Sequence, residues 1–171
     1  MAAETVPASV PTNGTTLVLA VPTIADIDAG PTVAELTDQT VTVLSKYITG
    51  DGLNPETTEN NVEDPRLHFW QVFEQRGDYT DSLEITYVFN PATPQDNEAQ
   101  LVLTAGTKTN IVIRWAMPTS VDIEPDQYVD ILPVEAGIPR KQPPTRNGVH
   151  RITQKLFVVD RVVRDVKVQA D

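Results

Sequence analysis

Residues 83–89 (LEITYVF) alternate without a break, and this two-residue period limits the fold more than any other feature of the sequence. It places Leu83, Ile85, Tyr87 and Phe89 on one face, which an extended strand can present to a core and a helix cannot. Residues 110–115 repeat the pattern, with Ile111, Ile113 and Trp115 on one side and Val112 and Arg114 on the other. Residues 41–48 are β-branched and end at Thr49-Gly50-Asp51-Gly52, a turn signal. Residues 128–132, 151–159 and 161–169 complete the candidate strands, the last two divided by Asp160. One helix is clearly signalled. Thr93 is a candidate cap before Pro94, Asp96 and Glu98 suit the positive helix end, and Gly106 stops it near Ala105. Ala99, Val102 and Leu103 form its apolar face. Thr32 and Glu35 have the spacing of a capping box for a second, shorter helix. Strands outnumber helices, so a mainly β domain is expected: a β-sandwich or open barrel with one flanking α-helix.

The 171 residues suit one domain with arms. Residues 1–14 read as a flexible N-terminal arm and 15–171 as a single β domain, in which 139–148 form a proline-rich loop. Charge is split along the chain. Residues 1–138 hold 21 acids and 5 bases, a balance of −16; residues 139–171 hold 3 acids and 8 bases, a balance of +5. The last 33 residues are too few for a core of their own. They read as basic terminal strands, 149–171, that pair with an acidic face of the same chain or of a neighbouring copy.

Several function classes are disfavoured. With no cysteine there is no disulfide scaffold, thiolate metal site or thiol nucleophile. No Gly-x-Ser-x-Gly elbow, phosphate-binding glycine loop or dinucleotide fingerprint is present. The acidic stretch 51–56 fails the EF-hand pattern, because Glu56 occupies the sixth position and Val62 the twelfth. His68 sits in an aromatic patch and His150 just before a strand; both read as surface or interface residues. A net charge of −11 opposes phosphate gripping. The apolar run 15–25 has no preceding basic residue and contains Pro22, so it is a poor secretory leader, and no run reaches a membrane span. The expectation is therefore no catalytic residue, no cofactor, no metal and no membrane partner.

The succession Val62-Glu63-Asp64-Pro65-Arg66-Leu67, Gln71-Val72-Phe73-Glu74-Gln75-Arg76-Gly77, residues 82–91, Asn97-Glu98-Ala99 and Ile113-Arg114-Trp115 resembles the tail tube proteins of long non-contractile-tailed bacteriophages, particularly those infecting actinobacteria. The resemblance spans residues 41–115 well and 151–168 loosely. It implies a structural subunit whose strands join a hexameric β-barrel ring. Rings would stack into a tube in the virion tail, assembled in the host cytoplasm. Tape measure and tail terminator proteins would be partners, and viral DNA would pass through without specific binding. A ring of 24 strands gives a bore of on the order of 40 Å once side chains are subtracted. Six copies at −11 each carry −66 charges, so a lining of this composition would repel phosphates.

The resemblance also implies a long loop at residues 63–81 that touches the next ring. Leu67, Phe69, Trp70 and Phe73 are too apolar for a free loop, unless they fill the domain's own core. Arg66 and Arg76, beside Glu63, Asp64 and Glu74, would set register between rings. The alternative reading of the aromatics is an immunoglobulin-like or carbohydrate-binding β-sandwich adhesion module.

Overall fold

In the computed structural model, which describes residues 7–171, the alternating segment from Leu83 to Val88 is the final part of a far longer strand, and Phe89 lies just past its end. The elements run β1 (Leu17–Val21), α1 (Val33–Thr37), β2 (Thr42–Val43), a 3-10 turn (Leu44–Lys46), β3 (Ile48–Asp64), β4 (Phe73–Val88), a 3-10 turn (Pro94–Asn97), α2 (Glu98–Val102), β5 (Lys108–Arg114), β6 (Tyr128–Ala136), β7 (Arg140–Lys141), β8 (Arg151–Val158) and β9 (Val163–Lys167). The strands form one antiparallel sheet in the order β2-β1-β5-β6-β8-β4-β3; β7 adds to β8 and β9 to β6. The expected mainly β class holds. A sandwich of two separate sheets does not, because hydrogen bonding is continuous from one edge to the other.

Chain connectivity makes that sheet curl. β2 and β3 are its two edges, yet only residues 44–47 separate them. Laid flat, seven strands would hold the edges roughly 29 Å apart. The five steps from Val43 to Ile48 span at most about 17 Å. The sheet therefore bends into an open barrel, and Leu44, fully buried, plugs the place where its edges approach. Residues 41–48 are thus not the single strand expected. Burial of Leu44 outweighs the β propensity of its neighbours, and the chain turns there.

The barrel interior holds Val18, Ala20, Leu83, Ile85, Tyr87, Ile111, Ile113, Leu132, Val134, Ile152 and Leu156, with Ala99 and Leu103 from the α2 region inserted. A second apolar layer lies outside β1, β5 and β6. There Leu17, Leu19, Val21, Val112, Val129 and Ile131 meet Leu36 of α1 and Val168. β1 and β5 are consequently buried on both faces; of the sides expected for 110–115, Ile111 and Ile113 join the interior and Val112 the outer layer, while Trp115 stays partly exposed.

Most polar groups in the interior are matched, the exceptions among the described residues being Asn97 Oδ1 and Arg114 Nε. Gln154 donates to the carbonyls of Leu103 and Gly137, both at 2.7 Å, and accepts from the Tyr87 hydroxyl at 2.8 Å. Burial raises the Tyr87 pKa to about 12, so the phenol stays protonated and remains a donor. Arg114, nearly inaccessible, donates to the carbonyls of Pro118, Val121 and Asp122 and to the Gln127 side chain. Burial lowers its pKa, and the guanidinium serves as a frame for the loop between β5 and β6.

The capping box forms as the spacing predicts. The Thr32 hydroxyl accepts from the Glu35 amide, and the Glu35 carboxylate accepts from the Thr32 amide at 2.8 Å. The second helix is shorter than expected and begins as a 3-10 turn without a Thr93 side-chain cap. It ends early because Leu103 turns into the core and the Gly106 amide donates to Ala136 of β6. Of the expected N-terminal arm, residues 1–6 lie outside the described residues. Residues 7–14 are exposed and join neither helix nor strand.

Candidate functional site

β3 and β4 outrun the barrel and continue together as a two-stranded arm. Pairing runs from Glu56 opposite Ser82 to Asp64 opposite Phe73. Nine residues of β3 make this ribbon roughly 30 Å long. From Glu56 to Glu63, and from Phe73 to Thr80 except Gly77, every residue is exposed. The ribbon therefore lacks a packed face, and an isolated two-stranded hairpin is marginally stable in water. A bulge sits midway, where Asn60 Nδ2 donates to Asp78 Oδ1 at 2.9 Å. Gly77 is required there, because a Cβ would lie 2.9 Å from the Asn60 carbonyl oxygen.

The expected 63–81 loop thus contracts to residues 65–72, with Glu63 and Asp64 closing β3 and Phe73 and Arg76 on β4. The β-forming residues 73–81 find their hydrogen-bond partners on β3, so no open loop remains along them.

Leu67 and Trp70 stand at the tip, 111% and 105% exposed relative to an extended reference. They do not fill the domain's own core. Phe69 meets His68 edge-on at 4.9 Å and Phe73 edge-on at 5.7 Å. These rings form no flat stacking platform. Val62, Val72 and Tyr79 extend the exposed apolar surface along the arm.

The charges are arranged differently from the sequence expectation. Arg66 pairs with Asp64 of its own chain at 2.7 Å through a forked contact. Arg76 pairs with Glu59 and lies over the Tyr79 ring. Both arginines are thus partly neutralised within the arm, in exposed pairs that contribute little stability. Glu63 and Glu74 face each other directly across the ribbon and have no ion-pair partner among the described residues. Like charges opposed across a strand pair repel. Residues 56–81 carry seven acids against those two arginines.

At the root of the arm, Asp81 accepts from Arg164 of β9 and from the Thr57 hydroxyl, both at 2.5 Å, and its side chain is only 7% exposed. Arg164 donates to Thr57 as well, at 3.0 Å. This contact ties the C-terminal strand to both strands of the arm. Sequence reasoning missed it; the only available signal was the opposite charge of the two chain segments. That signal has a wider counterpart. Arg140, Arg151, Arg161 and Lys167 pair with Glu84, Asp51, Asp28 and Asp126. Together with Arg164, five of the eight terminal bases reach acids of residues 1–138. The hydrogen bond from Lys167 to Asp126 raises the lysine pKa.

Among the described residues, no three metal-ligating side chains converge, and no helix is long and apolar enough to cross a membrane. The concentration of unsatisfied features is at the arm: apolar side chains without cover, a ribbon without a packed face, and acids without cations. Such a surface is suited to bury itself against another protein. The search among curated proteins returned no match. The profile described as phage tail tube protein matches residues 3–171, so the chain belongs to that family.

Proposed function

We propose that this chain is the repeating structural subunit of a long, non-contractile tail. Six copies close into a ring, and rings stack into an acidic-lined conduit through which viral DNA moves without specific binding. The observation that carries this reading is the arm, which places Leu67 and Trp70 fully in water about 30 Å from the barrel. An arm of this kind is costly to a solitary molecule and suits contact between stacked rings. Glu63, Asp64, Arg66, Leu67, Phe69, Trp70, Phe73 and Arg76 would make or shape that contact.

The barrel edges support the ring. The outer edge of β3 has no strand partner among the described residues, and β2 offers only two paired residues. Closure between copies would cover such edges. Stacking joins unlike faces and is open-ended, so it makes a filament. The tape measure and terminator proteins would set its length, and assembly would take place in the host cytoplasm.

Electron microscopy of the purified full chain over a concentration series tests the reading. Hollow tubes with six subunits per turn or ring are expected. A strict monomer at all concentrations would reject self-assembly. Hydrogen exchange adds a second test, with residues 56–81 weakly protected in the monomer and strongly protected in tubes.

A further inference from the structure

We infer that the groove along the barrel seam is the seat for the arm tip of a second copy of this chain. The inference rests on the assembly reading above and adds its acceptor surface. The groove, of about 760 Å³, opens where β1 faces the start of β3 across the unclosed seam. Val18, Val43, Ile48, Leu53 and Trp115 supply apolar walls. Trp115, 42% exposed, is held in place by donating from its indole nitrogen to Asp130 at 2.7 Å.

Charge matches the proposed guest. Among the described residues, Lys46 is the one charged residue lining the groove, and no carboxylate lines it. Lys46 has no ion pair among the described residues. The tip carries Glu63 and Glu74 facing each other without a cation. Seating the tip would place a lysine near two acids that repel, while Leu67 and Trp70 leave water.

The geometry excludes the chain's own tip. Leu53 lines the groove at the arm's root. Asp64, eleven residues further along β3, lies roughly 36 Å away along the ribbon. The arm therefore cannot fold onto its own seam without breaking its pairing. Tip and groove occupy separate places on each copy, so their union runs head to tail, and between stacked rings it repeats along the tube.

The absence of cysteine makes the test clean. Full-length His68→Cys and Ser45→Cys chains are mixed, assembled and mildly oxidised. His68 adjoins the anchors and Ser45 lines the groove, so a covalent dimer is expected in the mixture and from neither variant alone. The double variant should give a ladder of higher multimers. Tubes that form without these crosslinks would overturn the groove assignment and leave the assembly reading standing. A wild-type chain that never forms tubes would overturn both. Lys46→Glu should raise the concentration needed for assembly about fivefold, and adding Glu74→Lys should bring it back. No change in either variant would overturn the charge match.

Discussion

β4 passes through two environments within sixteen residues. At Leu83, Ile85 and Tyr87 its side chains are at most 1% exposed, while from Phe73 to Arg76 they all face water. The difference lies in its neighbours. From Leu83 onward β4 has β3 on one side and β8 on the other, with Leu83 opposite Leu156. Before Leu83 it has β3 alone. Backbone hydrogen bonds are the same in kind in both halves. Only the barrel half gains the apolar burial that makes a strand stable. The body holds itself together, and the arm has the composition of a surface awaiting a partner.

The strongest way to break the comparison is inside the body. Leu44→Ala removes the plug between the sheet edges and should cost about 3 kcal/mol in denaturant unfolding. The loss should be global, since Leu44 packs in the main core. If it is under about 1 kcal/mol, the seam does not depend on this side chain.

Trp70→Ala probes the arm and should separate folding from assembly. Monomer stability should stay within about 0.5 kcal/mol. The concentration needed for tubes should rise roughly 30-fold, as for loss of an interface anchor of about 2 kcal/mol. Normal polymerisation would show that the tip does not carry the contact.

A smaller effect is expected at the first helix. Thr32→Ala should cost about 1 kcal/mol by removing the cap. Its partner Glu35 has a pKa lowered chiefly by the Thr32 amide, with burial opposing and the Ala25 amide assisting. A lowered folded-state pKa means that its stabilisation is complete above the ordinary value of 4.5 and is lost as pH falls below it. Glu35→Gln should therefore flatten part of the acid limb of the stability profile and leave the alkaline limb unchanged.

The smallest folding effect should come from Arg164→Ala, below about 1 kcal/mol, because Arg164 is half exposed and the Thr57 hydroxyl still donates to the covered Asp81 carboxylate. It removes the tie between β9 and the arm's root, so assembly should weaken more than folding. Charge exchange in Asp81→Arg with Arg164→Asp should recover part of that assembly. Equal loss in the single and exchanged variants would reduce the contact to local packing.

Local patterns in the chain were sufficient for several features. The alternation at 83–89 named the core face of β4, and the spacing from Thr32 to Glu35 named a cap. The charge split pointed the last strands toward an acidic face but left open whether that face belonged to the same chain or to a neighbouring copy. These are short-range regularities: a period of two selects a face, and a capping box closes within one turn. Tertiary structure decided the rest. The bend at Leu44 exists because two sheet edges had to meet across four residues. The arm exists because residues 73–81 found partners on β3 and none on any other strand. The tie from Arg164 to Asp81 joins residues 83 positions apart, a distance at which sequence pattern carries charge but no geometry. Periodicity states which side of a strand is apolar, and only the assembled sheet states what, if anything, covers it.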